Sequence, residues 1–437
     1  MSAQRTWWRM LGVATLVAVA LLVVALPAFA GSRDQTGGDG GEAINARLFD
    51  ESGTTQAPVV GVRVVVRKAG TQVGEAVSDA KGIAAVPVPG KGTYEVRLDP
   101  KTFPKKAGAP AQTVLPNVVV QEGRAKFVLF PFGDRGIAEP SAIDRIADLA
   151  ASGLRQGLIV AVAAVGLSLV FGTTGLINFA HGELLTFGAI MAWYLNSSSD
   201  GFGLTLVVAG VVAVLLGGLL GLGLEFGLWR PLRRRRTGNV ALLVVSIGLA
   251  LFMRSVFQVV FGATPKPYEQ YAVQRAWHVG PLDILPKGAA TIAICAVILI
   301  AVALLLLRTR LGTAVRAVTD NPDLAESSGI DVGRVIIATW IACGALAAAS
   351  GVLLGMNQSV DFDMGFKVLL AIFAVMILGG LGSPFGAMLA GVILGLAFEV
   401  STFWIPTDFK TALYLGVMIL VLLVRPQGLL GVKERVG

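Results

Sequence analysis

The chain has 437 residues, of which 54% are hydrophobic and 15% charged, and its mean hydropathy is +0.73. Soluble domains run at about 45–50% apolar and about 25% charged, so a wholly water-soluble protein is excluded. The net charge of +8 would suit a polyanionic partner, but after position 150 most basic residues end apolar segments, where they orient helices. That placement argues for a lipid membrane and against nucleic acid.

Residues 1–30 have the form of an export signal: Arg5 and Arg9, an apolar core over Leu11–Leu26, and the small-residue site Ala28-Phe29-Ala30. An uncleaved anchor fits the same pattern, and either way residue 31 onward begins outside the cytoplasm. Residues 31–41 are a Gly/Ser/Asp linker. Short segments follow at 44–49, 59–66, 72–77, 83–88, 93–98, 113–120 and 124–130. Val62, Val64 and Val66 alternate with Arg63, Val65 and Arg67, the period of a half-buried strand. Turn signals separate the segments, among them Ala69-Gly70 and Pro89-Gly90-Lys91-Gly92. The pattern predicts a small antiparallel β-sandwich over 42–132. It holds no His and no Cys, which favours a spacer or docking module.

A linker with an amphipathic approach (Ile143, Ile146, Leu149) fills 133–153 and leads to a membrane domain over 154–431. Its apolar runs are 154–171, 176–195, 204–228, 239–261, 288–307, 335–355, 367–380, 386–403 and 409–424. A crossing takes about 20 residues, so the run at 367–380 is short. The fold class is therefore an all-α polytopic domain of about nine spans behind a small all-β domain. With the N-terminal side outside, an odd number of spans puts the C-terminus in the cytoplasm. The inner loops then carry Arg230, Arg233–Arg236, Arg308, Arg310, Arg316, Arg334, Arg425, Lys433 and Arg435, as the positive-inside rule requires.

Residues 172–195, GTTGLINFAHGELLTFGAIMAWYL, combine membrane length with Asn178, His181 and Glu183. Ionisable groups cost about 2.5–3.5 kcal/mol each at a helix centre, so they point to a pathway or to hydrogen bonds between spans. Asn178 and His181 share a face if the chain is helical there, and Glu183 lies on another. Glycines 172, 175 and 182 suit sharp turns or close backbone approach. The His, Cys and carboxylate spacings do not suit a metal, and Cys295 and Cys343 lie in apolar runs as packing residues. Nothing here forms a catalytic constellation.

The loop 308–334 is long and mixed in charge. It predicts a short helix from Pro322 to Ser327, capped by Asn321 and ended at Gly329, that could dock another protein. No G-x-x-x-x-G-K-[ST] occurs, so the chain carries no phosphate-cradling loop of its own. Gly217-x3-Gly221, Gly223-x3-Gly227, Gly351-x3-Gly355, Gly382-x3-Gly386 and Gly391-x3-Gly395 are candidate helix contacts. Glu225 and Arg254, inside apolar runs, either snorkel or pair across helices.

Four blocks carry a family resemblance: GLSLVFGTTGLINFAHGELLTFGA, LGTAVRAVTDNPDLAESSGID, VLLAIFAVMILGGLGSPFGAMLAGVILGLAFE and VLLVRPQGLLG. They resemble, in order, the permease subunits of branched-chain amino acid ABC transporters. SDAKGIAAVPVPGKGTYEVRLDP resembles prealbumin-like sandwiches of surface proteins, which lie outside that family core. The permease resemblance implies a multi-pass plasma-membrane importer subunit moving substrate by alternating access. Its implied partners are a second related permease, two cytoplasmic ATPases that use the ATP, and an extracytoplasmic substrate-binding protein. It places Asn178, His181, Glu183, Gly379, Gly380 and Gly382 near the pathway. Arg316, Ala317, Asn321, Ala325 and Gly329 would receive the ATPase stroke. Arg254 stands where the resemblance leads one to expect a neutral polar residue. Urea or short-chain amides are the alternative substrates, and an ion-coupled transporter acting alone is the alternative class.

Overall fold

The computed structural model describes residues 43–50, 57–68, 70–80, 82–90, 92–104, 110, 112–120, 126–132, 142–198, 201–270, 277–279, 282–406, 409–425 and 427–431. The export signal and the linker at 31–41 lie outside the described residues. The chain forms two compact units, one within 32–141 and one from 142 onward.

The first unit is built from β1 (Ala43–Asp50), β2 (Ala57–Pro58), β3 (Arg63–Lys68), β4 (Thr71–Val77), β5 (Ile83–Pro87), β6 (Gly92–Leu98), β7 (Val114–Val120) and β8 (Lys126–Phe132). One sheet runs β4-β3-β6-β7; the other centres on β1, with β2 and β5 along one edge and β8 along the other. The alternation at 62–67 is realised: Val62, Val64 and Val66 are fully buried. Ile44, Ala46, Leu48, Tyr94, Val96, Leu98, Phe130 and Phe132 are among the residues that share the core with them. The wholly antiparallel expectation needs one correction, since β1 and β8 pair in parallel from Ile44↔Lys126 to Asp50↔Phe132. Strands from opposite ends of the domain need no hairpin between them, so the last can lie beside the first in either direction.

The second unit is helical: α1 (Ala142–Thr174), α2 (His181–Asn196), α3 (Leu206–Leu224), α4 (Arg230–Arg234), α5 (Asn239–Phe261), α6 (Pro286–Arg308), α7 (Arg310–Asp320), α8 (Pro322–Ser327), α9 (Val332–Asn357), α10 (Met364–Gly379), α11 (Pro384–Ser401) and α12 (Lys410–Val424). Residues Glu225–Trp229 are a π-helical turn that joins α3 to α4. A two-stranded ribbon, β9 (Trp277–Val279) and β10 (Leu282–Ile284), precedes α6. Each of the nine apolar runs holds a helix, although the run 176–195 becomes helical only at His181. Six helices among the described residues are long and apolar enough to cross a membrane. The amphipathic approach at 142–153 is continuous with the first of them. The shorter α2, α10 and α12 have 16, 16 and 15 residues. At about 1.5 Å per residue they reach roughly 24 Å, less than the hydrocarbon thickness of about 30 Å.

Small residues set the packing. A Cβ at Gly391 or Gly395 would strike Ala161 or Gly157 of α1, so α1 and α11 touch backbone to backbone. Gly217 and Gly221 of α3 meet Gly344 and Trp340 of α9 in the same way, and Gly351 meets Leu185 of α2. With Gly386 against the Gly379 backbone of α10, four of the five small-residue motifs mark contacts. Gly223 and Gly227 face nothing within 4 Å. Glu225 and Arg233, two turns apart along one helical path, form an ion pair, so Glu225 pairs along its own chain and not across helices. Lys410 of α12 reaches Glu399 of α11 at 2.7 Å.

Candidate transport site and coupling surface

Gly175 ends α1 with φ +66°, a backbone that side chains with a Cβ resist. The chain from 175 to 180 then turns back along the bundle. Asn178 Oδ1 accepts from the Ala180 N–H at 3.1 Å, an Asx turn that prepares the start of α2. The segment is therefore not helical at Asn178, and Asn178 and His181 do not share a helix face. Ser246 of α5 pins the same loop, its Oγ accepting from the Phe179 N–H at 3.1 Å.

His181 opens α2 fully buried. Its Nε2 lies 2.9 Å from the Ala163 carbonyl, and its Nδ1 lies 3.5 Å from Cys343 Sγ. A carbonyl only accepts, so Nε2 carries the proton and Nδ1 accepts from the thiol. Cys343, expected as a packing residue, is thus also a weak donor. Ala163 precedes the end of α1 by eleven residues, so α2 begins about 16 Å back inside the bundle. A second element starts at the same depth. The Gly365 N–H at the head of α10 donates to Thr186 Oγ1 of α2 at 3.0 Å. The backbones of Gly182 and Gly365 are in direct contact, and a Cβ on Gly365 would overlap the Gly182 carbonyl. Two helix N-termini, each carrying about half a positive charge, meet within the bundle.

Charged groups gather around this junction. Glu183 is 1% exposed, and its Oε2 has no hydrogen-bond partner. Asn178 Nδ2 is likewise buried and unpartnered. Arg254 of α5 pairs with Asp363 at 3.4 Å and lies 4.5 Å above the Phe366 ring. It therefore pairs across helices. Lys367 bridges Asp361 and Asp363, each at 2.6 Å. Asp361, Asp363 and Lys367 were not singled out in the sequence. The signal was the shortness of the run at 367–380 beside two acids. Among the described residues no group of three or more His, Cys, Asp or Glu could hold a metal ion.

Gly379, Gly380 and Gly382 stand elsewhere, at the end of the bundle where α1 finishes. Gly380 and Gly382 have φ +108° and +77°. The C-terminal segment closes on this turn, with Leu429 N donating to Leu378 O at 2.7 Å and Leu430 N to Gly379 O at 3.0 Å. A Cβ at Gly172 would meet Thr319 of α7 at 3.0 Å and the Gly382 carbonyl at 3.1 Å. A cleft of about 390 Å³ lies here, lined by Gly172, Gly175, Val318, Thr319, Pro322 and Gly382 among others.

The short helix read from sequence is present as α8, with Asn321 Oδ1 accepting from Leu324 N at 2.9 Å and Gly329 at φ +84° after it. Ala325 is buried, Ala317 half-buried, and Arg316, Asn321 and Gly329 exposed. The longer α7 ahead of it was missed. Its signals were Thr309 as a cap, accepting from Gly312 N at 3.0 Å, and the helical spacing of Ala314, Val315 and Val318, all buried. Leu324 stands 65% exposed on α8.

A helical bundle with interrupted elements that meet at an internal polar junction defines a multi-pass membrane transport protein. Residues 149–422 match the family model described as the branched-chain amino acid transport system permease component, and the chain belongs to that family. It is 31% identical over 298 residues to the high-affinity branched-chain amino acid transport system permease protein LivH of Escherichia coli, covering 65% of this chain and 94% of the relative. BraD of Pseudomonas aeruginosa, a permease protein of the same description, is 30% identical over 294 residues, covering 65% and 95%. LivM of Escherichia coli, again a branched-chain amino acid permease protein, is 25% identical over 298 residues, covering 62% and 68%. No solved structure matches. The matched region takes in the helical unit and leaves the β-sandwich outside it.

Proposed function

We propose that the chain is the membrane-spanning subunit of an ATP-driven importer of branched-chain aliphatic amino acids. The observation that supports this most is the alignment along 94% of LivH, a permease protein of a branched-chain amino acid transport system. The chain works with a second related permease and two ATPase subunits in the cytoplasm. A binding protein outside delivers the amino acid. The β-sandwich faces outside and the C-terminus lies in the cytoplasm.

The coupling surface is the α7–α8 pair. ATP-driven closure of the ATPases moves the α7–α8 pair, which presents Arg316 of α7 and Leu324 of α8 outward while Ala325 anchors the inner side of α8. Thr319 of α7 abuts Gly172 of α1, so the stroke passes to the helix that runs up to the His181–Glu183 junction. Alternating access follows if that movement opens the junction to one side at a time. Asn178, His181 and Glu183 border the pathway, and the Gly379–Gly382 turn acts as the inner hinge beside the cleft.

Arg316→Glu or Gly329→Pro should uncouple ATP hydrolysis from transport without preventing membrane insertion. Proline holds φ near −65° and cannot take the backbone of Gly329. The check is ATP hydrolysed per amino acid transported in reconstituted vesicles. Normal coupled uptake by both variants would contradict the assignment of this surface.

A further inference from the structure

Among the described residues the polar junction is short of one positive charge. Glu183, Asp361 and Asp363 are its acids, and Arg254 and Lys367 are its bases. Lys367 holds Asp361 and Asp363, and Arg254 holds Asp363 as well. Lys266, whose backbone pairs with Val360 next to these acids, turns its ammonium onto the Trp193 and Phe261 rings at 4.2 and 4.9 Å. Glu183 is electrostatically coupled to Arg254 and Asp363, yet among the described residues it has no ion-pair partner and its Oε2 has no donor. A buried carboxylate in that position carries a large desolvation cost until a cation or a proton meets it.

The surroundings specify the cation. Around Glu183 are groups that favour an anion: the guanidinium of Arg254, whose charge acts on it, and the paired N-termini of α2 and α10, with the unpartnered Nδ2 of Asn178 in the turn that leads into α2. A ligand that answers both halves carries a positive and a negative group a few ångströms apart, as an α-amino acid does. We propose that Glu183 is the ammonium-binding residue of the permease. The α-ammonium of the substrate meets Glu183 Oε2, and its α-carboxylate faces Arg254, Asn178 Nδ2 and the two helix N-termini. This inference rests on the amino-acid reading of the transport function and deepens it. Glu183 is 1% exposed, so the substrate reaches it when the Gly182–Gly365 contact opens. That contact is backbone on backbone, fastened by the Thr186 hydroxyl, which accepts from the Gly365 N–H. A neutral amide such as urea would leave the carboxylate uncompensated.

The test uses membrane vesicles and the purified permease–ATPase complex, each with the parent chain and with Glu183→Gln, which keeps shape and removes charge. Parent vesicles, supplied with ATP and the binding protein, are first assayed for uptake of labelled leucine or urea. Uptake of urea and not leucine sinks the substrate reading itself, before any variant is compared. Given leucine uptake by the parent, Glu183→Gln should lower it by about ten-fold or more at equal membrane level. The ligand-free variant complex should melt no lower than the parent, because a buried unpaired charge has been removed. Leucine should no longer raise its melting point. Uptake within two-fold of the parent (a ratio set against the ten-fold expectation) overturns the proposal. A second arm needs no variant. Leucine and 3-methylbutylamine, which keeps the ammonium, should raise the melting point of the parent complex, and 4-methylpentanoate, which lacks it, should not. Any other pattern overturns the proposal.

Discussion

Glu225 shows how a single ion pair can hold an irregular helix. Its carboxylate is 2% exposed and meets Arg233, 23% exposed, across the π-helical turn that joins α3 to α4. Removing one partner of a buried pair costs about 3–5 kcal/mol, and solvent at Arg233 lowers that figure. Arg233→Ala should therefore destabilise the purified chain by about 1–3 kcal/mol. The double change Arg233→Ala with Glu225→Gln should recover part of the loss, read from thermal melting in detergent. Equal melting of the single and double variants would mean the pair does not hold the turn. Gly365 offers a steric counterpart: Gly365→Ala drives a Cβ into the Gly182 carbonyl, and overpacking of this kind costs about 1–3 kcal/mol. Its melting point should fall while Gly223→Ala, with open space around it, leaves melting unchanged. Of these residues, Glu225, Arg254 and Gly182 were legible in the sequence as polar or small groups in apolar runs. Their partners were not: Asp363 and Gly365 become neighbours only through the fold, and Arg233 meets Glu225 only once the chain between them is helical.

Among elements, the strands were the most legible. A sandwich has one wet and one dry face on each sheet, so alternation appears directly in the chain, as at Val62, Val64 and Val66. The parallel partnership of β1 and β8 was hidden, since a strand pattern states which face is buried and not which neighbour is chosen. The helices were legible as apolar runs, but their depth was not. Residues 172–195 read as one continuous membrane-length segment, whereas Gly175 ends α1 and α2 starts at His181, well inside the bundle. Hydropathy is blind to that break because the loop 175–180 is itself largely buried. Gly175 and Asn178, a turn residue and an Asx-turn residue, were its only local marks. The helix α8 was read correctly from Asn321, Pro322 and Gly329, because capping chemistry is local. Its companion α7 was passed over because the loop reads as polar overall.

For the whole molecule, the structure joins three regions far apart in sequence at one end of the helical unit. These are the α7–α8 pair, the Gly380–Gly382 turn and the C-terminal segment around Leu429. A shared end is what a coupling surface needs. The polar junction of α2 and α10 lies deeper, as a transport site needs. The β-sandwich stands outside the region matched to the family; our reading is that it docks the binding protein. Deleting 42–132 should weaken binding-protein affinity and uptake while the helical unit still inserts. Unchanged uptake and unchanged binding-protein affinity would remove that role.

Import of branched-chain amino acids by a complex containing this chain should show in the uptake of labelled leucine by cells with and without the chain, with unlabelled valine, isoleucine and urea as competitors. Deletion should abolish the uptake, and only the aliphatic amino acids should compete for it. Unchanged leucine uptake together with a defect in urea or amide uptake would contradict such import.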